Sequence, residues 1–204
     1  MMLRKLHTFL TPCLLATILL GIAPALHAQC EKGMLTVGGS TNISESIQST
    51  TNTFNLTLAP SMGVFVIRNF VVGGTYSFSV GSTRTVNAST DVKSTTTTIT
   101  TLVGPFLKYY IGKKNMKPFV SANGGYSVYT QLKSNSKPGS ALSITNYDGF
   151  QMGASAGIAY FFNPHIALES ALYVTTAGYQ TQIPTTRFGF SLGLYAFLDK
   201  KKAE

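Results

Sequence analysis

The chain has 204 residues, with 16 Lys and Arg against 7 Asp and Glu, a net charge of +9, and two cysteines. That length suits one domain, and so few cysteines exclude a cysteine-built metal site. The cations gather in turns and the tail (Arg68, Lys113, Lys114, Lys117, Lys200, Lys201, Lys202) and form no pattern that would read nucleic acid, so no nucleic-acid partner is expected.

Residues 1–29 read MMLRKLHTFLTPCLLATILLGIAPALHAQ. Arg4 and Lys5 precede an apolar run from Phe9 to Ile22, and small residues precede Gln29, the layout of a cleaved secretory signal. The reading is a signal peptide over 1–28, cut after Ala28, with a cut after Ala25 as the alternative. The run is shorter than the ~20 apolar residues of a spanning helix. Losing Arg4 and Lys5 takes the net charge from +9 to +7. Cys13 leaves too, so Cys30 is left without a disulfide partner; the residues before it, His27-Ala28-Gln29, do not suit lipidation. Residues 29–33 form a short lead.

The remainder is rich in Gly, Ser, Thr, Tyr and Phe and lacks Trp, an all-β profile. Eight alternating segments follow in order. The first spans 34–44, with Leu35, Val37 and Ile43 on one face. The second and third lie in FNLTLAPSMGVFVIRNFVVGGTYSFSV (54–80), where Phe54, Leu56, Leu58, Met62 and Val64 alternate with Asn55, Thr57, Ala59, Ser61 and Gly63. The rest span 98–111, 118–130, 149–162, 165–175 and 186–198. Successive strand side chains point to opposite faces, and each segment is about the ~9–11 residues with which a tilted strand crosses a bilayer.

The connections alternate in length. VIRN, GKKNMK and NPH are short; SESIQSTTN, GSTRTVNASTDVKST, QLKSNSKPGSALSITNY and TAGYQTQIP are longer and polar. Tight periplasmic turns and longer outer loops are the habit of an outer-membrane barrel, and put both termini in the periplasm. Oriented by those turns, Phe70, Tyr109, Tyr160 and Phe162 fall near the periplasmic ends. Phe54, Phe78, Tyr126, Phe150 and Phe188 fall toward the outer ends. Two aromatic belts mark two membrane interfaces, so the apolar face is expected to meet lipid. An open edge in hydrocarbon would leave backbone groups unpaired, so the eight strands must close. Phe106, Tyr110, Phe119, Tyr129, Tyr173, Tyr195 and Phe197 then point inward, which predicts a plugged lumen and no diffusion pore. The predicted fold is a closed eight-stranded antiparallel up-and-down transmembrane β-barrel over 34–198, with a periplasmic tail over 199–204.

Over about residues 33–198 the chain resembles the small outer-membrane β-barrel proteins, a porin-like family with OmpX-type architecture. The resemblance rests on LAPSMGVFVIRNFVVGGTYSFS, GPFLKYYI, KPFVSANGGYS, GIAYFFNPHIALESALYV and the closing FGFSLGLYAF. It implies placement in the outer membrane of a Gram-negative cell. In the last segment Arg187, Gly189, Leu192 and Leu194 are similar to the signal that barrel-assembly machinery reads. Many members end on the terminal aromatic of that strand, whereas DKKKAE follows Leu198 here.

Some barrels of this size modify lipid A with His, Ser and a carboxylate. The histidine left after the signal, His165, falls in the NPH turn at the periplasmic end, a membrane thickness from outer-leaflet substrate, while Glu45, Asp91 and Asp148 fall on different loops. No enzyme activity and no cofactor or metal is expected. Lys108 and Glu169 both point inward, each about three residues from the periplasmic end of its strand, and are expected to pair structurally across the barrel floor. Arg84, Lys93, Lys133, Lys137 and Arg187 fall near or beyond the outer rim and are candidates to contact lipopolysaccharide phosphates, with plain loop solubility as the simpler role. The function expected is a structural or loop-mediated interaction or adhesion role, with outer-membrane lipid, lipopolysaccharide and a surface or host ligand as partners. The alternatives are a soluble periplasmic lipocalin-like carrier of an apolar ligand and a lipid A-modifying barrel enzyme.

Overall fold

The computed structural model describes residues 30–47, 51–86, 93–112, 114–135, 143–179 and 184–199. They form eight strands: β1 Leu35–Ile47, β2 Thr51–Ile67, β3 Phe70–Val86, β4 Lys93–Tyr110, β5 Met116–Asn135, β6 Ser143–Asn163, β7 Ile166–Tyr179 and β8 Thr185–Leu198. Each pairs antiparallel with the next, and β8 returns to β1 to close the barrel. The predicted leader 1–28, Lys113, Asp91, Lys137 and the tail beyond Asp199 lie outside the described residues.

The barrel is inside out. Among the described residues more large apolar side chains are exposed than buried; Met62, Leu172 and Phe188 are 64%, 70% and 80% exposed. Leaving such side chains in water forgoes roughly 1.5–3 kcal/mol each, a loss that hydrocarbon neighbours avoid. The predicted belts are neighbours in the register: Phe70 pairs with Tyr109 at one end, and Tyr126 with Phe150 toward the other. The Tyr126 and Phe150 rings meet edge to face at 6.1 Å, and Tyr160 and Phe162 do so at 5.2 Å.

The strands rise higher than the alternation predicts. Much of SESIQSTTN, GSTRTVNASTDVKST, QLKSNSKPGSALSITNY and TAGYQTQIP, expected as loops, is ladder: β3 runs on to Val86, β4 begins at Lys93, and β5 and β6 have 20 and 21 residues. The ladder needs only backbone groups, whereas apolar alternation marks only the part that crosses lipid. Above that band Thr-rich stretches keep pairing, helped by hydroxyl contacts such as Thr53 with Thr83 at 3.3 Å and Thr176 with Thr186 at 3.1 Å. The opposite turns are tight. Arg68 and Asn69 join β2 to β3, with Asn69 at φ 65, a left-handed conformation that Asn tolerates.

Candidate functional site

The lumen divides into a dry floor and a polar cavity above it. Phe65, Tyr110, Phe119, Phe161 and Phe197 pack together at the end of the short turns; Phe65 lies 6.1 Å from Tyr110 and Phe161 5.1 Å from Phe197, centroid to centroid. The short lead completes the floor. The Gly33 amide donates to the Phe65 carbonyl and the Phe65 amide to the Met34 carbonyl, while the Asn69 amide donates to the Cys30 carbonyl. Gly33 makes this turn at φ 90, where a side chain would be strained. Cys30 and Met34 are thereby drawn into the core.

Two lysines sit in this floor. Lys108 Nζ lies 2.7 Å from Glu169 Oε2, both side chains being almost fully buried. The Tyr110 hydroxyl donates to Glu169 Oε1 at 2.5 Å, so both carboxylate oxygens are engaged. The Lys108 ammonium also stands 3.9 Å from the centre of the Tyr195 ring, a close cation–π contact. Burying an isolated ion is prohibitively costly, and this cluster shows how the barrel avoids it. Lys117, expected in a solvated turn, is buried instead: it is β5's second residue, its Nζ donates to Cys30 Sγ at 3.2 Å and lies 5.1 Å from the Phe161 ring centre. The sequence hid this because the lead that covers Lys117 carries no alternation to read. Burial raises the Cys30 thiol above its ordinary range, against the opposing pull of the Lys117 charge.

Above the floor is a cavity of about 230 Å³. Hydroxyls and amides from all eight strands line it, among them Ser40, Asn42, Thr57, Ser79, Asn123 and Gln151. The inward aromatics predicted from parity run from the floor into the cavity, whose base is formed by Phe106, Phe119 and Tyr195 together with Lys108 and Glu169. Phe106, Tyr110, Phe119, Tyr195 and Phe197 are buried low in the barrel. Tyr173 lines the cavity, and Tyr129 stacks higher up with Tyr147 and Tyr179 at 6.0 and 5.4 Å.

Of the five cations proposed for lipopolysaccharide, the three whose side chains are described, Arg84, Lys133 and Arg187, are not brought together. Arg84 is exposed near the end of β3 on the parity of Phe78 and Val80, the lipid face. Lys93 pairs with Val86 at the start of β4, and its side chain is outside what is described, as is all of Lys137. Lys133 shares the lumen parity of Tyr129 on β5. Arg187 lines the cavity, because it shares the inward parity of Ser191 and Gly193 on β8. His165 is in the β6–β7 turn, where its Nδ1 lies 3.0 Å from the Phe197 carbonyl and its backbone carbonyl accepts from the Phe197 amide. It ties that turn to the end of β8. Asp148 accepts from the outward Tyr126 hydroxyl at 2.8 Å, far from His165 along β6.

The molecule is a closed all-antiparallel barrel of eight strands with the fold of the small outer-membrane β-barrels. Among solved structures it is similar to the outer membrane protein OprG from Pseudomonas aeruginosa, at TM-score 0.53 and 12% identity over 86% of this chain and 100% of that one. It also matches the N-terminal β-barrel domain of Pseudomonas aeruginosa OprF (TM-score 0.42, 13% identity, 82% and 98% of the two chains). A third match is Ail, the attachment invasion locus protein of Yersinia pestis (TM-score 0.41, 12% identity, 82% and 98%). No family model and no curated protein matches the sequence.

Proposed function

We propose that the chain is an integral outer-membrane barrel, exported by its leader, that acts through structure and surface contact and not through catalysis. The observation that carries this reading is the division of the barrel wall: an exposed apolar band, then strands that continue well past it as a polar collar. A strand of ~9–11 residues suffices to cross the bilayer, so the 20 and 21 residues of β5 and β6 build a platform beyond it. The collar and the segments it carries (87–92 and 136–142) are where a surface or host ligand would bind. Arg84 is well placed to meet lipopolysaccharide phosphates at the wall, whereas Arg187 faces the other way. The floor opposes free diffusion of solutes through the lumen, and the last strand, with Arg187, Gly189, Leu192 and Leu194, is the segment offered to assembly machinery.

Fractionation followed by gel electrophoresis with and without boiling tests the placement. A membrane-bound band whose mobility changes only on boiling is the expected result; recovery in the soluble periplasmic fraction overturns it. For the role, deletion of 87–92 or 136–142 is expected to abolish surface binding while the heat-modifiable band persists.

A further inference from the structure

We infer that the wall opens sideways between β1 and β8 in the outer half of the barrel, and that the head group of an anionic single-chain amphiphile enters the lumen cavity there to meet Arg187, its acyl chain remaining in lipid. The inference rests on the lipid-embedded reading above.

The pairing of β1 with β8 runs from Leu35 with Leu198 to Thr41 with Leu192 and stops. The same register would next pair Asn42 with Ser191 and, at its far end, Ile47 with Thr186. Both strands continue, but those pairs are not made. Each strand is held from behind along this stretch: β1 pairs with β2 up to Ile47 with Asn52, and β8 with β7 up to Ala177 with Thr185. The result is a fork with two strand edges facing each other.

The fork opens at lipid height. Along its lower part the outward side chains, Ile43, Phe188 and Phe190, are apolar and exposed, and Phe188 belongs to the outer aromatic belt. Glu45 and Thr186 follow on the same parity higher up, so that Glu45 lies on the opposite parity from Arg187 and Asn42. Unpaired N–H and C=O groups in hydrocarbon cost several kcal/mol each, so polar matter must reach these edges. Asn42 already supplies some at the base of the fork: its Nδ2 donates to the Phe190 carbonyl at 2.7 Å and to the Tyr173 hydroxyl. The polar cavity supplies the rest, since Asn42 lines it from one lip and Arg187 and Ser191 from the other.

Charge selects the occupant. The lumen carboxylate Glu169 is taken by Lys108 and Tyr110, and among the described residues Arg187 makes no ion pair. A guanidinium on the lip of a gap in a lipid-facing wall favours a carboxylate or phosphate at the end of an acyl chain. A volume near 230 Å³ admits a small head group. A partner β-strand would satisfy the edges but leave Arg187 unmatched.

The test uses the full barrel in phosphatidylcholine nanodiscs with a long-chain fatty acid carrying a diazirine beside its carboxylate. Photolabel is expected on Asn42, Arg187 or Ser191. Arg187→Gln should reduce it about tenfold, the size expected when a charge-assisted bond is lost. An oxidised Ile43→Cys/Phe190→Cys pair in a Cys30→Ser background should close the gap and remove the label, with recovery on reduction. Label confined to outward side chains, or indifferent to Arg187→Gln, overturns the inference. Hydrogen exchange reads the gap independently of ligand. Fast exchange of the seam-facing amides of 42–47 and 186–191 supports an open fork, and protection equal to that of the β1–β2 ladder overturns it. Fast exchange without lumen label assigns the edges to a peptide strand and overturns the amphiphile. A persistent heat-modifiable band in any of these cases keeps the lipid-embedded reading intact.

Discussion

The two ends of the lumen solve opposite problems with one strand geometry. At the end of the short turns the inward positions include Phe65, Tyr110, Phe119, Phe161 and Phe197, and the charges among them are engaged at short distance. In the opposite half the inward positions are mostly Ser, Thr, Asn and Gln, with Tyr173 and Arg187 among them, around a cavity. The floor excludes water, so each polar contact there is strong and costly to break. The hydroxyl-lined half has small polar side chains that water can satisfy, so single contacts there count for little.

The largest test of this contrast is Glu169→Ala, which strands the Lys108 charge and should lower the unfolding free energy by about 3–5 kcal/mol in urea titrations of the refolded barrel. A Lys108→Met/Glu169→Leu double variant should lose much less, and an equal loss would mean that the pair contributes more than mutual neutralisation. Next is the outer surface. Leu194→Arg, in the apolar band, should cost roughly 2–4 kcal/mol, whereas Thr97→Arg, on the outward parity of β4 above that band, should cost only about 0–1, by the same titration. Equal costs would show that the apolar band reaches higher than its side chains indicate.

Tyr110→Phe should cost about 1–3 kcal/mol by leaving Glu169 Oε1 short of a donor. Thr57→Val, which removes a 2.9 Å contact with Ser79 in the hydroxyl-lined half, should cost less than about 1 kcal/mol. Cys30 offers a chemical reading of the same difference. Its buried, raised thiol should resist maleimide at neutral pH in the folded barrel and react once the floor is unfolded. Reaction at equal rates in both states would place the lead outside the barrel.

Parity in a strand is rigid, so the wall is legible in the sequence: alternation assigns residues such as Leu58, Leu107 and Leu194 to the outside and Phe106, Lys108 and Glu169 to the inside. The lead 30–34 and the heights of the strands are not, because neither carries a period. The burial of Lys117 is hidden for the first reason, and the length of strand beyond the apolar band for the second.

The amino-acid sequence by itself determined an eight-stranded amphipathic barrel, its up-and-down order and the faces of its strands, since a period of two leaves each side chain only one of two directions. Which inward residues meet depends on the stagger of strands far apart in the chain. That brought Lys108 to Glu169 and Cys30 to Lys117, carried the ladder past the lipid band, and stopped β1 and β8 pairing at Thr41 and Leu192. Those outcomes belong to the tertiary structure, because closure of a barrel is a relation among all eight strands and no segment encodes it alone.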